Sequence, residues 1–137
     1  MQKIEHIGIA VKDIVAASET YTKLMGYKAY KTETVETEGV ITAFFKCGES
    51  KIELLQATKP ESAIAKFIEK KGEGIHHIAY AVNDILSESA RLEQQGFTAL
   101  QDNPRKGADN KWVAFFHPKT THGVLVELCQ ERIDAEN

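Results

Sequence analysis

Four side chains in this sequence could do chemistry together: His6, Glu53, His77 and Glu127. Each sits inside a largely apolar run, in "IEHIGIAV", "KIELLQ", "GIHHIAYAV" and "GVLVELC". A carboxylate flanked by Val126 and Leu128 is expensive to bury without a partner, and Glu53 meets the same cost. Two imidazole nitrogens and two carboxylate oxygens can share one divalent cation. That donor set suits a borderline or hard metal, and an octahedral ion would keep positions open for a substrate. Taken singly, a strand histidine is more often structural and a strand glutamate more often faces solvent. Their placement in a repeat argues for a shared role.

Residues 4–14, "IEHIGIAVKDI", lie over residues 75–85, "IHHIAYAVNDI", at an offset of 71 with seven of eleven positions identical. "AFF" recurs at 43–45 and 114–116 with the same offset, and Gly26 matches Gly96 at an offset of 70. "IELLQ" at 52–56 matches "VELCQ" at 126–130 at an offset of 74, after a three-residue insertion in the "HPKTTHG" loop. The chain is therefore a duplicated module of about 70 residues. His6 falls on His77 and Glu53 on Glu127. His76 falls on Glu5. Neighbours on a strand point to opposite faces, so His76 and Glu5 take the outward phase and are expected to be exposed. His117 and His122 have no counterparts and read as loop surface.

These residues need elements to hold them, and each module reads as βαβββ. Strands are expected at 3–11 and 75–82. Asp13 and Asp84 follow as helix N-caps. Ile14, Ala17, Tyr21 and Leu24 form one apolar face of the first helix, and Gly26 and Gly96 end the two helices. Further strands are expected near 28–35, 40–47 and 51–57, and near 97–102, 111–117 and 123–130. "KPESAIAKFIEKKGEG" reads as a linking helix over 60–72, with Pro60 and Glu61 in its first turn, Ile64, Phe67 and Ile68 on its apolar face and Gly72 at its end. The expected organisation is one α+β domain over 1–137: module one 3–57, the linking helix 60–72 and module two 75–130. A half this small buries little core alone, so the open sheets are expected to pair and share a concave surface. The final "RIDAEN" reads as frayed.

Composition excludes several classes. The chain has 137 residues, 42% hydrophobic, enough for a core. A net charge of −3 and a pI near 6.0 give no reason to expect nucleic acid. No apolar run approaches the roughly 20 residues that span a bilayer, so no membrane partner is expected. "MQKIEHIGIAV" lacks a signal-peptide layout. Cys47 and Cys129 are too few for a disulfide scaffold and read as small buried hydrophobes in a reducing cytoplasm.

The repeat and its four polar residues resemble the vicinal oxygen chelate superfamily and, within it, the methylmalonyl-CoA epimerase family. The resemblance covers about residues 3–130. "GIHHIAYAV", "PESAIAKFI" and above all "HPKTTHGVLVELCQ" carry it, together with Pro104 and Pro118 flanking Gly107. It implies paired βαβββ modules in a curved mixed sheet around a metal-binding cleft. Its metal ligands fall on His6, Glu53, His77 and Glu127, with cobalt, manganese, nickel or zinc as the divalent ion. It implies interconversion of (2R)- and (2S)-methylmalonyl-CoA through an enolate, with Glu127 and Glu53 as candidate proton carriers. An acyl-CoA substrate and a homodimer follow from the same resemblance. Some members carry a glutamate three residues after the glycine of "GV", where this chain has Thr42, which is no general base near neutral pH. The basic runs at 103–111 and 70–71 are candidates for the CoA phosphates, although such runs are usually solvated surface. Lactoylglutathione lyase, of the same fold and with a similar ligand set, is the alternative. An iron dioxygenase and a metal-free drug-sequestering protein of this fold stand behind it.

Overall fold

The repeat predicts a capped helix after each opening strand. The computed structural model, which describes residues 1–100 and 104–133, has one in each place. Strand β1 (Lys3–Ala10) leads to helix α1 (Ile14–Met25), and strand β5 (Gly74–Ala81) leads to helix α3 (Ile85–Gln94). Asp13 accepts from the amides of Val15 and Ala16, and Asp84 from that of Ser87. A second anchor repeats with them. The Ile14 amide donates to Gln56 Oε1 and the Ile85 amide to Gln130 Oε1, each at 2.7 Å. These glutamines end the matched "IELLQ" and "VELCQ", so each helix start is tied to the strand that carries a site glutamate. The helix amides would otherwise lack partners.

The chain forms two compact units, one of His6–His76 and one of Met1–Glu5 together with the chain from His77 onward. In the first, strands β2 (Lys31–Val35), β3 (Val40–Cys47) and β4 (Ser50–Ala57) are antiparallel neighbours in that order, and β4 runs parallel to β1. Helix α1 covers one face, packing Ile14, Ala17, Tyr21 and Met25 over Ala43, Phe45 and Leu54. Leu24, expected on that face, is 70% exposed and Met25 takes its place. The helix turns about 100° per residue, so the stripe steps by four from Tyr21 at that point. The opposite face is closed at one end by helix α2 (Ala63–Lys71), through Ile64, Phe67 and Ile68 against Ala10, Val40 and Leu55. Helix α2 starts later than expected. Ser62 caps it by accepting from the Ala65 amide, leaving Pro60 and Glu61 in the turn before it. Serine offers a side-chain acceptor at the cap that neither residue bettered there.

In the second unit, strands β6 (Arg105–Gly107) and β7 (Lys111–Phe116) pair antiparallel. So do β7 and β8 (Val126–Glu131), and β8 runs parallel to β5. Helix α3 packs Ile85 and Leu92 over Ala114, Phe116 and Leu128. The strand expected at 97–102 is reduced to a bridge between Ala99 and Phe116; residues 101 and 102 lie outside the described residues. The edge strand comes later, at 105–107, where Gly107 allows close approach: a Cβ there would sit 2.7 Å from Val113 Cγ1. The start of the chain belongs to this unit. Gln2 N–H donates to Ala81 O and its side-chain amide to Asn83. The last residues of "RIDAEN", from 134, lie outside the described residues. No described helix is long and apolar enough to cross a membrane.

Candidate metal site

In the first unit, register places His6 opposite Lys51 and Gly8 opposite Glu53, while Phe44 of β3 flanks Glu53 from the other side. Register partners share a face, so His6, Lys51, Glu53, Phe44 and Thr42 all project away from α1. His6 Nδ1 stands 3.2 Å from Glu53 Oε2, and both residues are 4% exposed. Lys51 Nζ lies 3.8 Å from the same oxygen.

The second unit repeats the arrangement. Ala79 and Phe115 flank Glu127 as Gly8 and Phe44 flank Glu53. His77 Nε2 stands 3.0 Å from Glu127 Oε1, again with both residues buried. The His77 ring meets Phe115 edge-on at 5.8 Å between centroids. The Cys129 thiol donates to Glu127 Oε2 at 3.1 Å. The Arg105 guanidinium lies 5.2 Å over Phe115.

Each histidine thus meets the glutamate of its own module. The chemistry of the donors fits a divalent ion. Each pair offers a nitrogen and an oxygen 3.0 to 3.2 Å apart, close to the ~3 Å edge between neighbouring ligands that each sit about 2.1 Å from one ion. Buried carboxylates of this kind require a cationic or hydrogen-bonding partner.

Other expected residues fall elsewhere. His76 is half-buried rather than exposed, its ring edge-on to Phe67 of α2 at 5.1 Å. Glu5, its counterpart, is 8% exposed. Lys111 reaches within 4.0 Å of it while pairing with Glu131 at 2.6 Å. Neither is exposed as expected, because neighbouring side chains cover them. His117 caps a short 3-10 turn, accepting from the Lys119 amide, and His122 is exposed in the loop. Of the basic runs, Arg105 turns onto the face of Glu127, Lys106 and Lys70 are exposed, and Lys71 lies over Phe67. Asn103 is outside the described residues. Cys47 is exposed, against expectation, because it stands at the β3–β4 hairpin; Cys129 is buried and bonded to Glu127. Thr42 is fully buried, lies between Glu33 and Leu55 in register, and its hydroxyl has no hydrogen-bond partner. Sequence reasoning missed Lys51. The signal was present: with Glu53 inward, strand period two turns Lys51 inward as well.

A family model described as the glyoxalase/bleomycin resistance protein/dioxygenase superfamily matches residues 5–115. The chain is similar to the ethylmalonyl-CoA/methylmalonyl-CoA epimerase of Cereibacter sphaeroides, at 40% identity over 130 residues, 93% of this chain and 97% of that protein. It is also similar to a solved variant of Streptomyces coelicolor methylmalonyl-CoA epimerase in complex with 2-nitronate-propionyl-CoA. That match has a TM-score of 0.92 and 38% identity, over 96% of this chain and 95% of that one. A structure of a methylmalonyl-CoA epimerase in complex with methylmalonyl-CoA and NH4+ matches with a TM-score of 0.91 and 38% identity, over the same shares of the two chains.

Proposed function

Because the chain belongs to the methylmalonyl-CoA epimerases of the glyoxalase/bleomycin resistance/dioxygenase superfamily, we propose that it interconverts (2R)- and (2S)-methylmalonyl-CoA by moving the proton at C2. The observation that carries the reading is the recurrence of a buried His–Glu contact at matching positions of both modules. The matches above favour the epimerase, and nothing in them favours lactoylglutathione lyase.

In this reading His6, Glu53, His77 and Glu127 would together hold one divalent ion. When bound, the ion supplies Lewis-acid stabilisation of the negative charge that develops on the substrate oxygens. The acidity of the C2 proton comes from its place between a thioester and a carboxylate. Removing it leaves a planar enolate, and inversion requires that a proton return from the opposite face. Glu127 and Glu53, one from each module, are the proposed proton carriers. A carboxylate that gives its charge to a metal is a weaker base, so proton transfer falls to whichever oxygen is less engaged. Cys129 holds Glu127 Oε2 and fixes the plane of that carboxylate. Thr42 contributes a hydroxyl that can donate or accept a hydrogen bond, but not a basic group.

The test is proton exchange in heavy water. With methylmalonyl-CoA and added cobalt, the protein is expected to place deuterium at C2 while equalising the two epimers. Absence of exchange, with turnover of the methylglyoxal–glutathione adduct instead, contradicts the proposal. Glu53→Gln and Glu127→Gln are expected to slow exchange, each from its own side.

A further inference from the structure

Lys51 has no part in the reading above, yet it is one of the more unusual residues in the chain. It is 6% exposed, and lysine is almost never so buried unless paired. In register it stands between His6 of β1 and Lys46 of β3, on the face of both His6 and Glu53. Its ammonium is 3.8 Å from Glu53 Oε2 and 5.8 Å from the centroid of the Phe44 ring. The module does not need a cation there. The matching position, 74 residues on, is Leu125, so an apolar residue serves the same place in the same fold.

Charge accounting suggests why a lysine is kept. Two neutral imidazoles, two carboxylates and a divalent ion sum to zero. A substrate with a free carboxylate brings a negative charge, and enolisation adds another. Lys51 is a fixed positive charge, already desolvated, beside one of the proposed ligands. Preorganised charge of this kind acts strongly where water is excluded.

Resting on the epimerase reading, we propose that Lys51 is a specificity-determining residue: its ammonium selects acyl-CoA substrates that carry a free carboxylate on the acyl group. The same charge opposes a cation at Glu53. Removing it should therefore weaken the carboxylate-bearing substrate without weakening the cation, which damage to the fold would not do.

The experiment compares the wild-type protein with Lys51→Met, which keeps the length of the side chain without its charge, and with Lys51→Arg, which restores a charge. Cobalt affinity is measured by titration of the metal-free protein. KM is measured with methylmalonyl-CoA, and the inhibition constant with propionyl-CoA, which lacks the carboxylate. For Lys51→Met, KM is expected to rise roughly 10- to 100-fold, the loss of one charge-assisted contact. Propionyl-CoA inhibition should stay within about twofold and cobalt affinity should hold or tighten, since no contact to either is lost. Lys51→Arg should recover most of the KM. Should Lys51→Met fail to fold, Lys51→Gln is expected to show the same split. Equal losses toward both CoA esters, or weaker cobalt binding, would overturn the role of Lys51 and leave the metal reading intact. A wild-type protein that takes up no cobalt would overturn the metal reading itself.

Discussion

The two units solve one structural problem identically and one chemical problem differently. In both, an aspartate caps the helix, a glutamine on the last strand of the module holds the first helical amide, and a small residue and a phenylalanine flank the buried glutamate. Those positions decide where the carboxylate points. The positions that set its charge environment have diverged. Glu53 has an ammonium nearby and meets His6 through Nδ1; Glu127 has a thiol and meets His77 through Nε2. Helix α2 closes the first unit's face with Ile64, whereas the corresponding face of the second unit carries a small cluster of Ala79, Val113 and Cys129. Duplication kept the scaffold of the two buried glutamates and released their surroundings.

The largest expected effect separates neighbours within one strand. His77→Ala should lose metal and proton exchange by more than the roughly 10- to 100-fold that outer-sphere partners cost. His76→Ala should keep its metal, because His76 packs on Phe67 and not on Glu127. Metal analysis of the two purified variants checks this, and equal loss would break the register on which the comparison stands.

Next comes the shared core. Phe45 and Phe116 are equivalent in the repeat and both fully buried under a helix. Truncation of either to alanine should cost about 3–5 kcal/mol by denaturant unfolding. Similar losses would sharpen the equivalence of the two cores, and a large difference would show that one unit carries the stability.

The glutamine anchors come third. Gln56→Ala and Gln130→Ala each remove a bond to a helical amide and should cost about 1 kcal/mol apiece. Unfolding midpoints check this. A cost in one unit alone would mean that only one helix start depends on its strand.

The smallest effect lies in a feature the first unit lacks. The Arg91 guanidinium, and after it the N-terminal ammonium, hold the Glu88 carboxyl below its ordinary value of 4.5; the matching residue in α1 is Ala17. A depressed carboxyl stabilises the fold above its unfolded value, and that contribution is lost as pH falls through the folded one. Glu88→Gln should therefore be slightly less stable than wild type at neutral pH, with the gap closing below about pH 4. Thermal unfolding across that range tests the sign.

Much of this was legible in the sequence because the repeat acts as its own alignment. The offset separates His77 from His76, and it pairs Glu53 with Glu127. The helix caps were legible for the same reason. What escaped depends on tertiary context. Lys51 is the second residue of a strand just after a hairpin turn, where lysines are usually solvated, and only the inward phase of Glu53 buries it. Cys129 reads as a small apolar residue until Glu127 lies 3.1 Å from its sulfur. The edge strand at 105–107 is three residues long and paired through Gly107, too short for a period to show. Met25 replaced Leu24 in the core because either residue fits a stripe of three- and four-residue steps.

In the proposed function two His–Glu pairs, one in each module, would serve a single ion. Cobalt titration of the metal-free protein, followed by its d–d absorption, tests it most directly. One ion per chain is expected, abolished by His6→Ala and by His77→Ala alike. Two ions per chain, each lost with only one of the two substitutions, would contradict it.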